Sequence, residues 1–269
     1  MHPYILHFGR LILPTFGVLA AVGLMTGLSL SLRTAALAGL DPDALWNAGT
    51  FTILSAFVIS RLLLVVGNLR SFLSYPLFLL ALPSLTATGI LLTMLATALY
   101  LRRRGLPLLR TLDAWAPCAT LVWAFLALGH LAEGSDPGLI TAVRWSIPSP
   151  SGFTRLHPIA IYAAVAALSI TAGLLVYLRR RPIPGRTAAL ALAASGVAQF
   201  VITFFRQPNT DDLTLVGFHL DTVLDPIQWL ALGMVAGAFL LLLPDPASIH
   251  SSFPEPSPAE PRKPVSHAI

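Results

Sequence analysis

Leu156-His157-Pro158-Ile159-Ala160-Ile161-Tyr162 opens an apolar run that continues to Leu178. About 20 consecutive apolar residues, rising about 1.5 Å each, cross the hydrocarbon of a bilayer as a helix. Pro158 lacks an N–H and has a fixed φ, which suits the first helical position. His157 then stands just outside the helix, at the lipid–water boundary. Tyr162 lies about one turn further in, where its hydroxyl needs a partner. The residue types leave two readings open. The two rings anchor the helix in the interface, or they perform chemistry on a lipid headgroup.

Six more runs of this kind flank the first. Together the seven occupy positions 11–32, 46–67, 77–100, 112–131, 158–178, 187–205 and 227–243. Pro76 and Pro83 interrupt the start of the third, so a kinked or re-entrant entry is an open alternative there. The composition agrees: 55% of the 269 residues are hydrophobic, 11% are charged, and mean hydropathy is +0.76. Soluble domains carry about 25% charged residues. The expected fold is therefore an all-α, polytopic integral membrane protein with about seven transmembrane helices. The first run is too long for a signal-peptide core and has no clean cleavage site, so it is expected to remain as a span. Residues 1–243 form the membrane domain. The tail 244–269, rich in Pro, Ser and charge, is expected to be a disordered cytoplasmic segment.

Of the 17 Lys and Arg residues only Lys263 is a lysine, and the formal net charge is +5. The arginines punctuate helix ends, as in Tyr100-Leu101-Arg102-Arg103-Arg104 and Tyr177-Leu178-Arg179-Arg180-Arg181. With seven spans, eleven cations fall on one side: Arg33, Arg110, Arg186, Arg262, Lys263 and the triplets 102–104 and 179–181. Five fall on the other: Arg10, Arg70, Arg144, Arg155 and Arg206. The positive-inside rule then sets an N-out, C-in orientation. This distribution reads as topology and excludes a nucleic-acid patch. The single cysteine, Cys118, excludes an intrachain disulfide or a Cys-based metal centre and reads as a small buried hydrophobe.

Few polar residues interrupt the apolar runs. Arg61 lies two-thirds along the second, where a charge costs about 2.5–3.5 kcal/mol. It must snorkel outward, pair with an acid or hold an anion such as a phosphate headgroup. His130 and Glu133 are three apart on the fourth run, so they share a helix face. Glu133 could orient the imidazole for acid–base work, or the pair could be an ordinary interfacial one. Arg206 follows Phe204 and Phe205 beyond the sixth run, with Pro208 ending the helix. It suits a phosphate or faces water. The acidic residues Asp211, Asp212, Asp221 and Asp225 follow without the spacing of a calcium loop. No phosphate-cradling glycine loop, HExxH or GxSxG pattern occurs.

In this order, the motifs resemble the bacterial prolipoprotein diacylglyceryl transferase family, from His2 to about Leu243. His2-Pro3 and Phe16-Gly17 are similar to its N-terminal segment. Ser60-Arg61-Leu62 is similar to its Gly-Ala/Gly-Arg motif and Asp113…Pro117 to its Asp-x-x-x-Pro. His157-Pro158…Tyr162 resembles its Arg-His-Pro-x-Gln-Leu-Tyr, and Phe204-Phe205-Arg206-Gln207-Pro208-Asn209 its Phe-Phe-Arg-x-Pro-Asp. Gln228 falls where the family has a Gly-Gln before its last helix. The resemblance implies transfer of diacylglycerol from phosphatidylglycerol to the lipobox cysteine of a prolipoprotein at the inner membrane. It implies no metal or cofactor. Carried over, His157, His130, Glu133 and Tyr162 become the catalytic candidates. Arg61 and Arg206 become the phosphate or headgroup ligands.

The pattern is broken at several positions. Ala127 replaces the family's arginine, His130 its asparagine, Ala87 its histidine, and Gln199 and Thr203 its Arg and Glu on the sixth span. Leu156 replaces the Arg of Arg-His-Pro, with Arg155 adjacent, and Ala163 replaces a Glu. Losing one preorganised charge donor typically costs about 10²–10³ in rate. The expectation is thus a transferase using Arg61, Arg206, His130 and His157 as a substitute set gathered in one pocket. The alternative is a catalytically lapsed paralogue that binds lipid or a partner protein. A transporter would need inverted repeats with broken midplane helices, and only the YLRRR punctuation repeats.

Overall fold

The computed structural model describes residues 4–8, 11–70, 86–149, 152–207, 214–215, 218–219 and 224–243. Seven helices run through them: α1 (Thr15–Ala38), α2 (Pro42–Gly67), α3 (Ala87–Arg103), α4 (Leu108–Glu133), α5 (Ile159–Arg179), α6 (Arg186–Thr203) and α7 (Pro226–Leu242). Each falls on one of the seven apolar runs. Short antiparallel ribbons complete the described residues: β1 (Tyr4–Phe8) with β2 (Leu11–Pro14), β3 (Ile147–Pro148) with β4 (Arg155–Leu156), and β5 (Thr214–Leu215) with β6 (Phe218–His219). The protein is an all-α, polytopic membrane protein. By length and apolarity α1, α2, α4, α5 and α6 each suffice to cross a bilayer, and α7 is a shorter apolar helix of 17 residues.

Helix ends follow local chemistry more than hydropathy. The first run begins as strand, because Pro14 biases its neighbour toward extended backbone and α1 starts only at Thr15. Asp41 caps α2, accepting from the N–H of Asp43 and Ala44, and Pro42 takes the first position. That moves the start four residues ahead of the apolar run. Asp225 and Gln228 form a reciprocal capping box on α7. Gln228 therefore lies inside the last helix rather than before it. Pro76 and Pro83, His2-Pro3, Arg10, Pro208, Asn209, Asp211, Asp212, Asp221 and the tail 244–269 lie outside the described residues.

Helix α4 is the central post, packed against α1, α5 and α6, while α7 packs on α6 and α2 lies between α1 and α3. The α1–α4 seam is close. A Cβ on Gly23 would stand 2.7 Å from Phe125 Cβ, and one on Gly27 2.7 Å from Val122 Cγ2. With Ser31 these make a small-xxx-small stripe along α1, which lets helices approach in lipid, where the hydrophobic effect drives no association. Phe16 meets Gly129 near the start of α1 and the end of α4, so the two helices are antiparallel. Further contacts carry this alternation around the bundle. Thr97 bonds Thr52, His157 at the start of α5 meets Phe205 after α6, and Gly185 lies near Leu241. One end of the bundle thus collects Arg33, Arg110, Arg186 and the triplets 102–104 and 179–181. The other end holds His130, His157 and Arg206.

The arginine-rich end is tied by Asp113. Its carboxylate, on α4 and 3% exposed, accepts from the N–H of Gly185 at 2.7 Å and of Ala188 at 2.8 Å. A side chain from α4 thereby caps the otherwise uncapped start of α6. Cys118 is buried beside Thr34, in line with a packing role.

Candidate functional site

The loop from Gly134 to Pro158 crosses the ends of α4, α5 and α6. Gly134 ends α4 in the left-handed conformation, and the chain then lies against the residues after α6. The Leu139 N–H donates to the Phe205 carbonyl, Gln207 N–H to the Pro137 carbonyl, and His157 N–H to the Leu139 carbonyl. Gly138 bridges Arg206 and passes so close to His157 that a Cβ would sit 2.2 Å from its carbonyl oxygen. These backbone bonds hold segments about 20 to 70 positions apart in register.

Side chains from the three segments meet here. The Tyr162 hydroxyl accepts from Trp145 Nε1 at 2.7 Å and lies 3.2 Å from His157 Nδ1. Phe205 packs on both rings, at 5.1 Å from His157 and 6.1 Å from Tyr162 between centroids. The phenol thus has the partner that its depth requires, supplied by a tryptophan with no obvious signal in the sequence. Arg206 Nη2 donates to Asp136 Oδ2 at 2.5 Å. Its Nε is buried and has no hydrogen-bond partner among the described residues. Asp136, in Ser135-Asp136-Pro137-Gly138, also escaped the sequence reading.

His130 and Glu133 do not form the expected pair. His130 Nδ1 bonds Ser135 Oγ at 2.8 Å and its ring packs on Phe16 at 4.9 Å. The reason is local: beyond Gly134 the chain turns back and presents a hydroxyl to the imidazole. Arg61 lies on α2, partly buried, with its guanidinium 5.2 Å from the Phe57 ring centroid. The structure thus joins His157, Tyr162 and Arg206 through Phe205 and the loop. It places His130 at the same bundle end and Arg61 on a helix packed against α1 and α3.

Beneath this cluster the interior is apolar. Ala127, Ile159, Ala163, Ala164 and Ile202 form one buried group, with Trp123 and Tyr162 packed on it. The Thr203 hydroxyl bonds back to the Phe200 and Gln199 carbonyls of its own helix. A cavity of about 440 Å³ runs between α4, α6 and α7. Apart from two indoles, its polar lining is Thr120, Ser195 and Gln199.

The model of the prolipoprotein diacylglyceryl transferases matches residues 3–243. The chain belongs to the prolipoprotein diacylglyceryl transferase family. Among its relatives are proteins described as phosphatidylglycerol–prolipoprotein diacylglyceryl transferases. That of Rhizobium leguminosarum bv. trifolii is 27% identical over 161 residues, 58% of this chain and 54% of the relative. That of Pasteurella multocida is 31% identical over 134 residues, 49% and 48%. That of Agrobacterium fabrum is 24% identical over 264 residues, 90% and 89%. The chain spans about half the length of the first relatives it matches. Against the diacylglyceryl transferase pattern, the substituted positions Ala127 and Ala163 fall together in the buried apolar group, and Thr203 adjoins Ile202 of that group.

Proposed function

We propose that the chain acts as a phosphatidylglycerol–prolipoprotein diacylglyceryl transferase in a bacterial inner membrane. Its seven helices run N-out and C-in, so the His157–Arg206 end faces the periplasm and the arginine-rich end the cytoplasm. Residues 1–243 make the transferase domain and 244–269 a cytoplasmic tail. The partners are phosphatidylglycerol and the lipobox segment of a prolipoprotein. In the reaction the lipobox thiol gives its proton to a base. Its sulfur bonds to the glycerol carbon, the carbon–oxygen bond to phosphate breaks, and glycerol phosphate leaves with the electron pair.

His157 is the base in this reading, oriented through Tyr162 by Trp145. Arg206, fixed by Asp136, is the phosphate ligand, and its buried Nε has no partner among the described residues. His130, Glu133 and Arg61 line the approach, and the cavity between α4, α6 and α7 takes acyl chain. The observation that carries the reading is the convergence of His157, Tyr162 and Arg206 at one bundle end within the matched family region. The test is release of glycerol phosphate from phosphatidylglycerol vesicles given a lipobox peptide. His157→Ala and Arg206→Gln should each lower the rate by about 10²–10³. No release from the parent protein above these variants rejects the reading.

One observation favours a second reading, a lapsed paralogue that binds the lipid or a partner. The positions that carry charge in the family pack here as Ala127 and Ala163 in an apolar core. That reading expects phosphatidylglycerol binding without turnover and no rescue of a transferase-depleted bacterium. Rescue rejects it.

A further inference from the structure

At the arginine-rich end, the C-terminal ends of α1 and α5 and the first turns of α4 surround a second cavity, of about 290 Å³. Pro182 and Pro184 stiffen one wall, and its charged groups are Arg110, Arg181 and Asp113. The carboxylate is saturated by the N–H groups of Gly185 and Ala188. Arg110 and Arg181 are exposed to solvent, and neither guanidinium has a hydrogen-bond or ion-pair partner among the described residues. The ends of α1 and α5 each present about half a negative charge as helix dipoles. With the Asp113 carboxylate they come to about two negative charges, which offsets the two guanidinium groups in sum but leaves both forks without a partner.

The backbone at Arg181 is the second observation. Its φ is +50°, the only non-glycine residue in the left-handed region among the described residues. That conformation is strained for an L-residue, and glycine would relieve it. This turn ends α5, with the Arg181 N–H bonded to the Leu178 carbonyl, and it sets Arg181 in the cavity wall. Guanidinium forks suit phosphate oxygens, and basic pockets between membrane helices take lipid headgroups.

We propose that this cavity is a phosphate-ester site, with Arg110 and Arg181 as its donors and an anionic phospholipid of the adjoining leaflet as its expected source. It lies at the opposite end of the bundle from His157 and Arg206, so it stands or falls independently of the transferase reading.

The test uses the full chain in detergent micelles, carrying Arg206→Gln so that the phosphate ligand proposed at the other end is removed. Binding of dioctanoyl phosphatidic acid, dioctanoyl phosphatidylcholine and glycerol 3-phosphate is measured by native mass spectrometry. The chain should prefer phosphatidic acid over phosphatidylcholine by about tenfold or more, the worth of one charge-assisted hydrogen bond. Adding Arg110→Gln with Arg181→Gln should abolish the preference. Arg181→Gly alone should weaken it while leaving the thermal midpoint unchanged or raised, which separates lost binding from lost folding. Arg102→Gln with Arg103→Gln, at the same end outside the cavity, should keep it within about twofold, as screened surface charge predicts. Binding of glycerol 3-phosphate as tight as that of the lipid keeps the site and assigns it to a soluble ester. A preference that survives loss of Arg110 and Arg181, or falls equally on loss of Arg102 and Arg103, overturns the proposal.

Discussion

The two ends of the α4–α6 pair use an aspartate in opposite ways. At one end Asp113 accepts from two amide N–H groups and has almost no exposure, so its capacity is filled by the fold itself. At the other, Asp136 engages one nitrogen of Arg206 and leaves the buried Nε unmatched. His157 likewise bonds through one ring nitrogen and is only partly buried. A polar group whose valences are satisfied internally holds helices together. One with a valence in reserve can recognise a ligand. The first arrangement should therefore govern stability, and the second should tolerate change at modest structural cost.

The largest effect expected from breaking this contrast is at Asp113. Asp113→Ala orphans two buried amides at about 1–3 kcal/mol each. It should lower the thermal midpoint in detergent more than any substitution at the His157 end. A midpoint within a degree of the parent would refute the capping role.

Next comes Ala127→Arg, which restores the family's charge inside the apolar group. Alone it should destabilise by about 2.5–3.5 kcal/mol, the cost of an unmatched arginine at membrane depth. Adding Ala163→Glu, in the same buried group, should recover part of that loss. A double variant no more stable than the single would mean that the two positions do not face each other.

Gly138→Ala should cost about 1–3 kcal/mol, since the new methyl meets the His157 carbonyl. It should also speed proteolysis of the loop before α5 while leaving the Asp113 end protected.

The smallest effect belongs to Tyr162→Phe. Removing the hydroxyl shared by Trp145 and His157 should cost about 1 kcal/mol. The Trp145 environment should change in fluorescence. Unchanged emission would show that the indole bond does not persist in solution.

Much of the architecture was legible in the chain. Apolar runs and arginine punctuation located the seven helices of the described residues, because hydropathy and helix length are local properties. The small-residue stripe Gly23, Gly27 and Ser31 was also readable but carried no polar signal to draw attention. Site residues were harder. His157 and Tyr162 stood out by their boundary position, yet the partners of Tyr162 and Arg206 did not. Trp145 and Asp136 come from a loop whose course depends on backbone bonds to residues after α6. His130 and Glu133 show the converse: shared helical spacing suggested a pair, and the loop supplied Ser135 instead.

By itself, the sequence determined the membrane-spanning class, the approximate course of the described helices, and the family. All of these follow from interactions within about twenty neighbouring residues or from motif order. Only the tertiary structure decided that Asp136 takes Arg206, 70 positions away, that Asp113 caps a helix 75 positions on, and that Ala127 sits in an apolar core. The reason is that a helix face is set by its own residues, whereas the valence left free on a polar side chain depends on what the rest of the chain brings against it.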